Sequence, residues 1–142
     1  MRIYLTRRYE FEAAHQLNGL VPQHKCSRLH GHNYRMDITV SVDDADPEPK
    51  NGLKNGMVLD AEALDVSVRP VLKRIDHRFL NELGETPDEA VAFEPMRSQP
   101  TAENIARWAW WRLAFIGNGG QQRLESIRVQ ENSRLWAEVR RE

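Results

Sequence analysis

Residues 24–34 read HKCSRLHGHNY and hold three of the chain's five histidines together with its only cysteine. His30 and His32, separated by one glycine, are two donors where a metal site needs at least three, and a third imidazole stands at His15. From Ile3 to His15 the apolar residues Ile3, Leu5, Tyr9, Phe11 and Ala13 take odd positions, while Arg2, Thr6, Arg8, Glu10 and Glu12 take even ones. That alternation predicts a strand with one buried face. Tyr34, Met36, Ile38, Val40 and Val42 repeat the pattern on even positions and predict a second strand. His15 continues the apolar phase of the first strand, and His30 and His32 that of the second. If the strands pair as a hairpin with residues 16–29 as the connection, all three imidazoles share one face and one end. Gly31 lets the backbones approach closely there. Three converging imidazoles with one open position are the mark of a catalytic rather than a structural zinc site. Copper, nickel and iron take the same donors, so the donors alone do not name the ion.

The elements that must position these groups follow from the rest of the chain. Residues 43–56 are crowded with Pro, Gly, Asn and Asp and predict an exposed loop. Asp60 can cap a helix over 61–74, where Ala63, Leu64, Val68, Val71, Leu72 and Ile75 recur at helical spacing and Pro70 introduces a point of strain. Residues 82–99 lack periodicity. PTAEN (100–104) opens a second helix with Thr101 as N-cap and Glu103 in the first turn, and GNGG (117–120) ends it. The tryptophans between them are read as core or interface rather than as a cofactor box. Alternations at 127–129 and 135–139 flank Asn132 and Ser133 and predict a closing hairpin. The order strand, strand, helix, helix, strand, strand implies an α+β fold: a four-stranded antiparallel sheet with two helices on one face.

Composition bounds the function. At 142 residues the chain is expected to form a single domain spanning 1–142. Lys and Arg number 20 against 21 Asp and Glu, which removes the cationic excess expected of nucleic-acid or anionic-membrane binding and favours a small-molecule partner. The opening MRIYLTRRYEFE carries charges at positions 2, 7, 8, 10 and 12 and does not read as a signal peptide, nor is there a run of membrane-spanning length. A lone cysteine cannot form an intrachain disulfide. Together these predict a cytoplasmic protein with Cys26 as a free thiol.

FEAAH (11–15), HKCSRLHGHNY (24–34), IDHRFLN (75–81), PTAEN (100–104) and VQE (129–131), in that order, resemble the 6-pyruvoyltetrahydropterin synthase/6-carboxytetrahydropterin synthase family over residues 3–131. The resemblance implies the tunnelling fold, in which subunits assemble into a barrel and trimers stack into a homo-hexamer. It implies a zinc-dependent carbon–oxygen lyase acting on 7,8-dihydroneopterin triphosphate, with Zn2+ held by His15, His30 and His32. Cys26 matches the family's proton acceptor, with an inert buried thiol as the plain alternative. Asp76 and His77 match its charge-relay pair, and Glu131 matches the glutamate that anchors the pterin and joins the relay. Thr101 and Glu103 fall in a matched segment and are expected to line the same pocket, although capping alone would also explain them. The three-residue gap between Cys26 and His30 resembles the 6-carboxytetrahydropterin type, on the route to queuosine precursors, in which triphosphate and acetaldehyde are released. The alternatives are the 6-pyruvoyl activity on the same substrate, or a non-catalytic zinc-stabilised binding module. The chain ends LWAEVRRE where the family commonly ends in aromatic-basic-glycine, so no phosphate contact is transferred to that end.

Overall fold

The computed structural model describes residues 1–43, 56–83, 96–116 and 122–142. Its elements are β1 (Arg2–His15), β2 (His30–Asp43), α1 (Ala61–Ile75), β3 (Arg78–Phe79), α2 (Ala102–Leu113), β4 (Gln122–Asn132) and β5 (Leu135–Arg140). The expected loop at 43–56, the irregular stretch at 82–99 and the helix stop at 117–120 fall largely or wholly outside the described residues.

The sheet runs in the order β3-β1-β2-β4-β5. Its four long strands pair antiparallel, as the alternations predict. The addition is β3, which pairs parallel to β1 through Arg78 opposite Ala13 and Phe79 opposite Ala14, so among the described residues the sheet has five strands and is mixed. Two residues cannot express a period, which is why this strand left no mark in the sequence. The inward faces of β1, β2 and β4, carrying Phe11, Tyr34, Met36, Ile38, Leu124 and Ile127, pack in one buried core with both helices. α1 contributes Leu64, Val68, Val71 and Ile75; α2 contributes Ile105, Ala106, Trp108, Ala109 and Leu113. Trp108 is core, as expected for a helix stripe, whereas Trp111 points outward and is 75% exposed.

Both helix starts are capped as the sequence predicts. Asp60 accepts the Glu62 N–H at 2.9 Å, and Thr101 Oγ1 accepts the Asn104 N–H at 3.4 Å. Pro70 lies inside α1, which nonetheless continues to Ile75. None of the described helices is long and apolar enough to cross a membrane.

At the histidine end of the hairpin the register pairs His15 with His30, Ala14 with Gly31, and Ala13 with His32. A Cβ added at Gly31 would stand 3.2 Å from the Ala13 carbonyl oxygen, a ladder atom that cannot retreat without moving β1. Overpacking of this kind costs about 1–3 kcal/mol, while the stiffer unfolded chain of an alanine variant returns about 0.4–1 kcal/mol. Gly31→Ala is therefore expected to destabilise the fold by roughly 1 kcal/mol net. A denaturant midpoint equal to or above that of the parent protein would show that the strands tolerate the methyl group.

Candidate metal centre and active site

The paired strand ends bring the three imidazoles into contact. The Nε2 atom of His15 lies 3.0 Å from that of His30 and 3.1 Å from that of His32, and the ligand atoms of the three all lie within 4.8 Å of one another. Two of the rings are oriented from behind by carbonyl oxygens: His15 Nδ1 donates to Pro100 at 2.6 Å and His30 Nδ1 to Arg28 at 2.7 Å. A carbonyl can only accept, so both Nδ1 atoms carry a proton, and in the neutral rings both Nε2 atoms present lone pairs to each other. Two lone pairs 3.0 Å apart repel unless a cation lies between them. The donor set therefore fits a metal ion. Nitrogens about 2.0–2.1 Å from a tetrahedral zinc stand about 3.3 Å from one another, within a few tenths of an ångström of the two separations from His15.

The site is also electrostatically prepared. His15 is fully buried, and burial lowers its pKa; the neighbouring His30 pushes in the same direction, against the Pro100 carbonyl. Burial first, and then the His15 and His30 rings, lower that of His32 from 6.5 to about 4. Neutral imidazoles are the ligating form, so His15 and His32 are held ready for a metal at neutral pH. The same shift makes the metal-free fold acid-sensitive. Its folded pKa is depressed, so this contribution is present above pH 6.5 and is lost as pH falls from 6.5 towards 4, where the unfolded chain takes up a proton that the folded one refuses. The Tm of chelator-stripped protein is expected to fall across that window, and the fall should be smaller in His32→Gln. Equal pH slopes for the two proteins would contradict it.

Glu131, on β4, reaches this centre: its Oε1 is 3.1 Å from His32 Nε2. Burial raises the pKa of Glu131, with Glu103 adding to the rise and His30 opposing it. Burial therefore outweighs the contact for both members of the His32–Glu131 pair.

Asp76 ends α1, and its Oδ1 accepts the Glu12 N–H at 2.9 Å and stands 3.0 Å from His77 Nδ1. The Glu12 N–H, and then the His77 ring, hold the Asp76 carboxyl below the usual carboxylate range. His77 is the one non-glycine among the described residues with positive φ, at 57°. A cavity of about 860 Å3 is lined by His32, Glu131, His77, Arg78, Phe79 and Asn132, among others. A second, of about 570 Å3, is lined by Glu12, Arg35, Asp76, His77, Gln130 and Ser133, among others. His77 and His32, at the edge of the imidazole cluster, thus line a common space within one chain, while Asp76 lines the second cavity.

Cys26 is placed differently. It lies half-buried in the short turn Lys25–Ser27, where its carbonyl accepts the Leu17 N–H at 2.9 Å and its own N–H donates to His24 Nδ1 at 3.1 Å. Its thiol stands outside the group of ligand atoms formed by the three imidazoles. Thr101 is half-buried at the start of α2, and Glu103 is exposed beside it; neither lines the two cavities.

Several residues that shape the site had no counterpart in the sequence reading. The Pro100 and Arg28 carbonyls orient two rings, and the Tyr34 hydroxyl lies 3.2 Å from His15 Nδ1. Asn81 clamps the residue after His15, accepting the Gln16 N–H at 2.9 Å and donating to its carbonyl at 2.8 Å. Its place in IDHRFLN was the available signal, although no periodic pattern marks such a clamp.

Comparison with known proteins agrees with this geometry. The profile of the family described as 6-pyruvoyl tetrahydropterin synthase matches residues 4–142. A 6-carboxy-5,6,7,8-tetrahydropterin synthase from Synechocystis sp. is 35% identical over 128 residues, 88% of this chain and 83% of that protein. One of the same name from Haemophilus influenzae is 30% identical over 144 residues, 94% of this chain and 96% of that one. The structure of Caenorhabditis elegans 6-pyruvoyl tetrahydropterin synthase superposes with a TM-score of 0.73 at 23% identity, covering 100% of this chain and 97% of that one, a likeness of fold.

Proposed function

The chain belongs to the 6-pyruvoyl tetrahydropterin synthase family, and from that premise we propose that it is a zinc-dependent lyase converting 7,8-dihydroneopterin triphosphate to 6-carboxy-5,6,7,8-tetrahydropterin, with release of triphosphate and acetaldehyde. The subunit has the family's tunnelling fold. The observation that carries the proposal is the convergence of three imidazole Nε2 atoms, two with Nδ1 committed to carbonyls, beside a cavity that also holds Glu131 and His77. The relatives at 30–35% identity bear the 6-carboxy name, which favours that product over the 6-pyruvoyl one.

In this reading His15, His30 and His32 hold the zinc, which when bound acidifies a neighbouring hydroxyl or C–H and stabilises enolate-like charge. Cys26 accepts the substrate proton. Asp76 fixes the His77 ring through Nδ1, leaving Nε2 to move a second proton. The Glu131 carboxylate takes two parallel hydrogen bonds from the aminopyrimidinone edge of the pterin, and those donors offset the burial that raises its pKa. Thr101 and Glu103, at the start of α2, border the same region, and Glu103 acts on Glu131 through its charge.

The proposal extends to a single-domain cytoplasmic protein that assembles as a hexamer of two stacked trimers. β1 meets β3 only at Ala13 and Ala14, so among the described residues its outer edge over 2–12 has no strand partner, and β5 is the opposite edge, with Leu135 and Trp136 exposed. Pairing such edges between subunits removes the liability of an open sheet. Incubating the zinc-loaded protein with 7,8-dihydroneopterin triphosphate and analysing the products by mass spectrometry tests the function. A 6-carboxy product with acetaldehyde supports it, and a 6-pyruvoyl product selects the alternative. Absence of turnover with metal bound would leave a binding module.

A further inference from the structure

We propose that Glu12 is a positioning residue that acts through His77, docking the Asp76–His77 dipeptide on β1 and giving the His77 Nε2 proton a solvent-facing acceptor; this rests on the reading of His77 as a proton carrier. Glu12 meets the pair at three points. Its N–H donates to Asp76 Oδ1 at 2.9 Å, its carbonyl accepts the His77 N–H at 2.6 Å, and its Oε2 stands 3.5 Å from His77 Nε2. The imidazole is thus bracketed, with Asp76 on Nδ1 at 3.0 Å and Glu12 on Nε2.

The backbone around the pair supports a dedicated arrangement. His77 adopts φ 57°, a conformation that costs a non-glycine residue free energy and persists only where its surroundings hold it. The two backbone contacts to Glu12 supply that hold, and β3 begins immediately afterwards against Ala13. The carboxylate of the neighbouring Glu10 pairs instead with Arg35 at 3.3 Å. Glu12 and His77 line both cavities described above, and in the single chain their side chains are 61% and 73% exposed, so the carboxylate borders both the substrate space and solvent.

The step balances without a co-reactant. After His77 has taken a proton from the substrate, the Nε2–H bond breaks as an Oε2–H bond forms on Glu12; the Glu12 carboxyl then passes the proton to water or buffer, and no electron count changes. The 3.5 Å separation is long for a hydrogen bond, which leaves Nε2 able to turn from Glu12 to substrate.

Glu12→Gln retains the backbone contacts and the side-chain shape but removes the proton acceptor. In dilute buffer its steady-state kcat is expected to fall about tenfold with KM unchanged, because the hand-off resets His77 between turnovers, general acid–base steps being worth about 100- to 10,000-fold when removed whole. Raising the concentration of a small carboxylate or imidazole buffer should restore the rate, and Glu12→Asp should retain part of it. A second readout does not need turnover: with His77 in its imidazolium form, the exchange of the Nε2 proton with water, followed by NMR, should slow several-fold in Glu12→Gln. A rate within twofold of the parent, a loss that buffer does not rescue, or unchanged exchange would each overturn the assignment. If the parent protein itself fails to release triphosphate, the proposed function falls, and the exchange measurement still decides the role of Glu12.

Discussion

Replacing His30 with alanine is expected to strip the metal and the activity together. The residue begins β2 at the mouth of the hairpin and is only half-buried, so its removal leaves the core intact and acts on the site. What remains is His15 and His32, whose Nε2 atoms are 3.1 Å apart, and two imidazoles make a chelate that a folded protein holds weakly. Loss of partners that merely orient a ligand costs about 10- to 100-fold in affinity or activity, so loss of a ligand itself should exceed about 100-fold. Metal analysis of the purified variant, beside a circular dichroism spectrum that verifies the fold, checks this. Stoichiometric metal in a folded His30→Ala protein would remove His30 from the ligand set and, with it, the metal-centred mechanism.

Cys26→Ala should behave in the opposite way, keeping the metal and losing turnover by about 100- to 10,000-fold, the range for removal of a positioned acid or base. Retention is expected because the thiol lies outside the imidazole group. The resemblance to the family also implies a site completed between subunits, with Cys26 and the metal of one chain facing the Asp76–His77 pair of its neighbour. Cys26→Ala and His77→Ala, denatured and refolded together, should then recover about a quarter of parental turnover, since each position is intact in half of the chains. Near-normal turnover in Cys26→Ala alone would return the residue to an inert thiol. Mixed oligomers as inactive as their parents would confine the relay to one chain.

The convergence of His15, His30 and His32 could be read in the sequence because a strand's facing is a local, period-2 property. Once Phe11 and Ala13 pointed inward, His15 had to follow, and Tyr34 and Met36 committed His30 and His32 in the same way. The helix caps Asp60 and Thr101 were legible for the same reason, since a cap bonds a residue two or three positions away. What surrounds the imidazoles was decided by tertiary structure. Pro100 reaches His15 from 85 positions along the chain, and Asn81 reaches Gln16 from 65. Both contacts join a side chain to a backbone atom, which every residue possesses and no pattern advertises. Glu12 shows the two regimes in one residue: its exposed facing follows from the alternation of β1, but its hold on Asp76, 64 positions away, exists only because the end of α1 is laid against that strand.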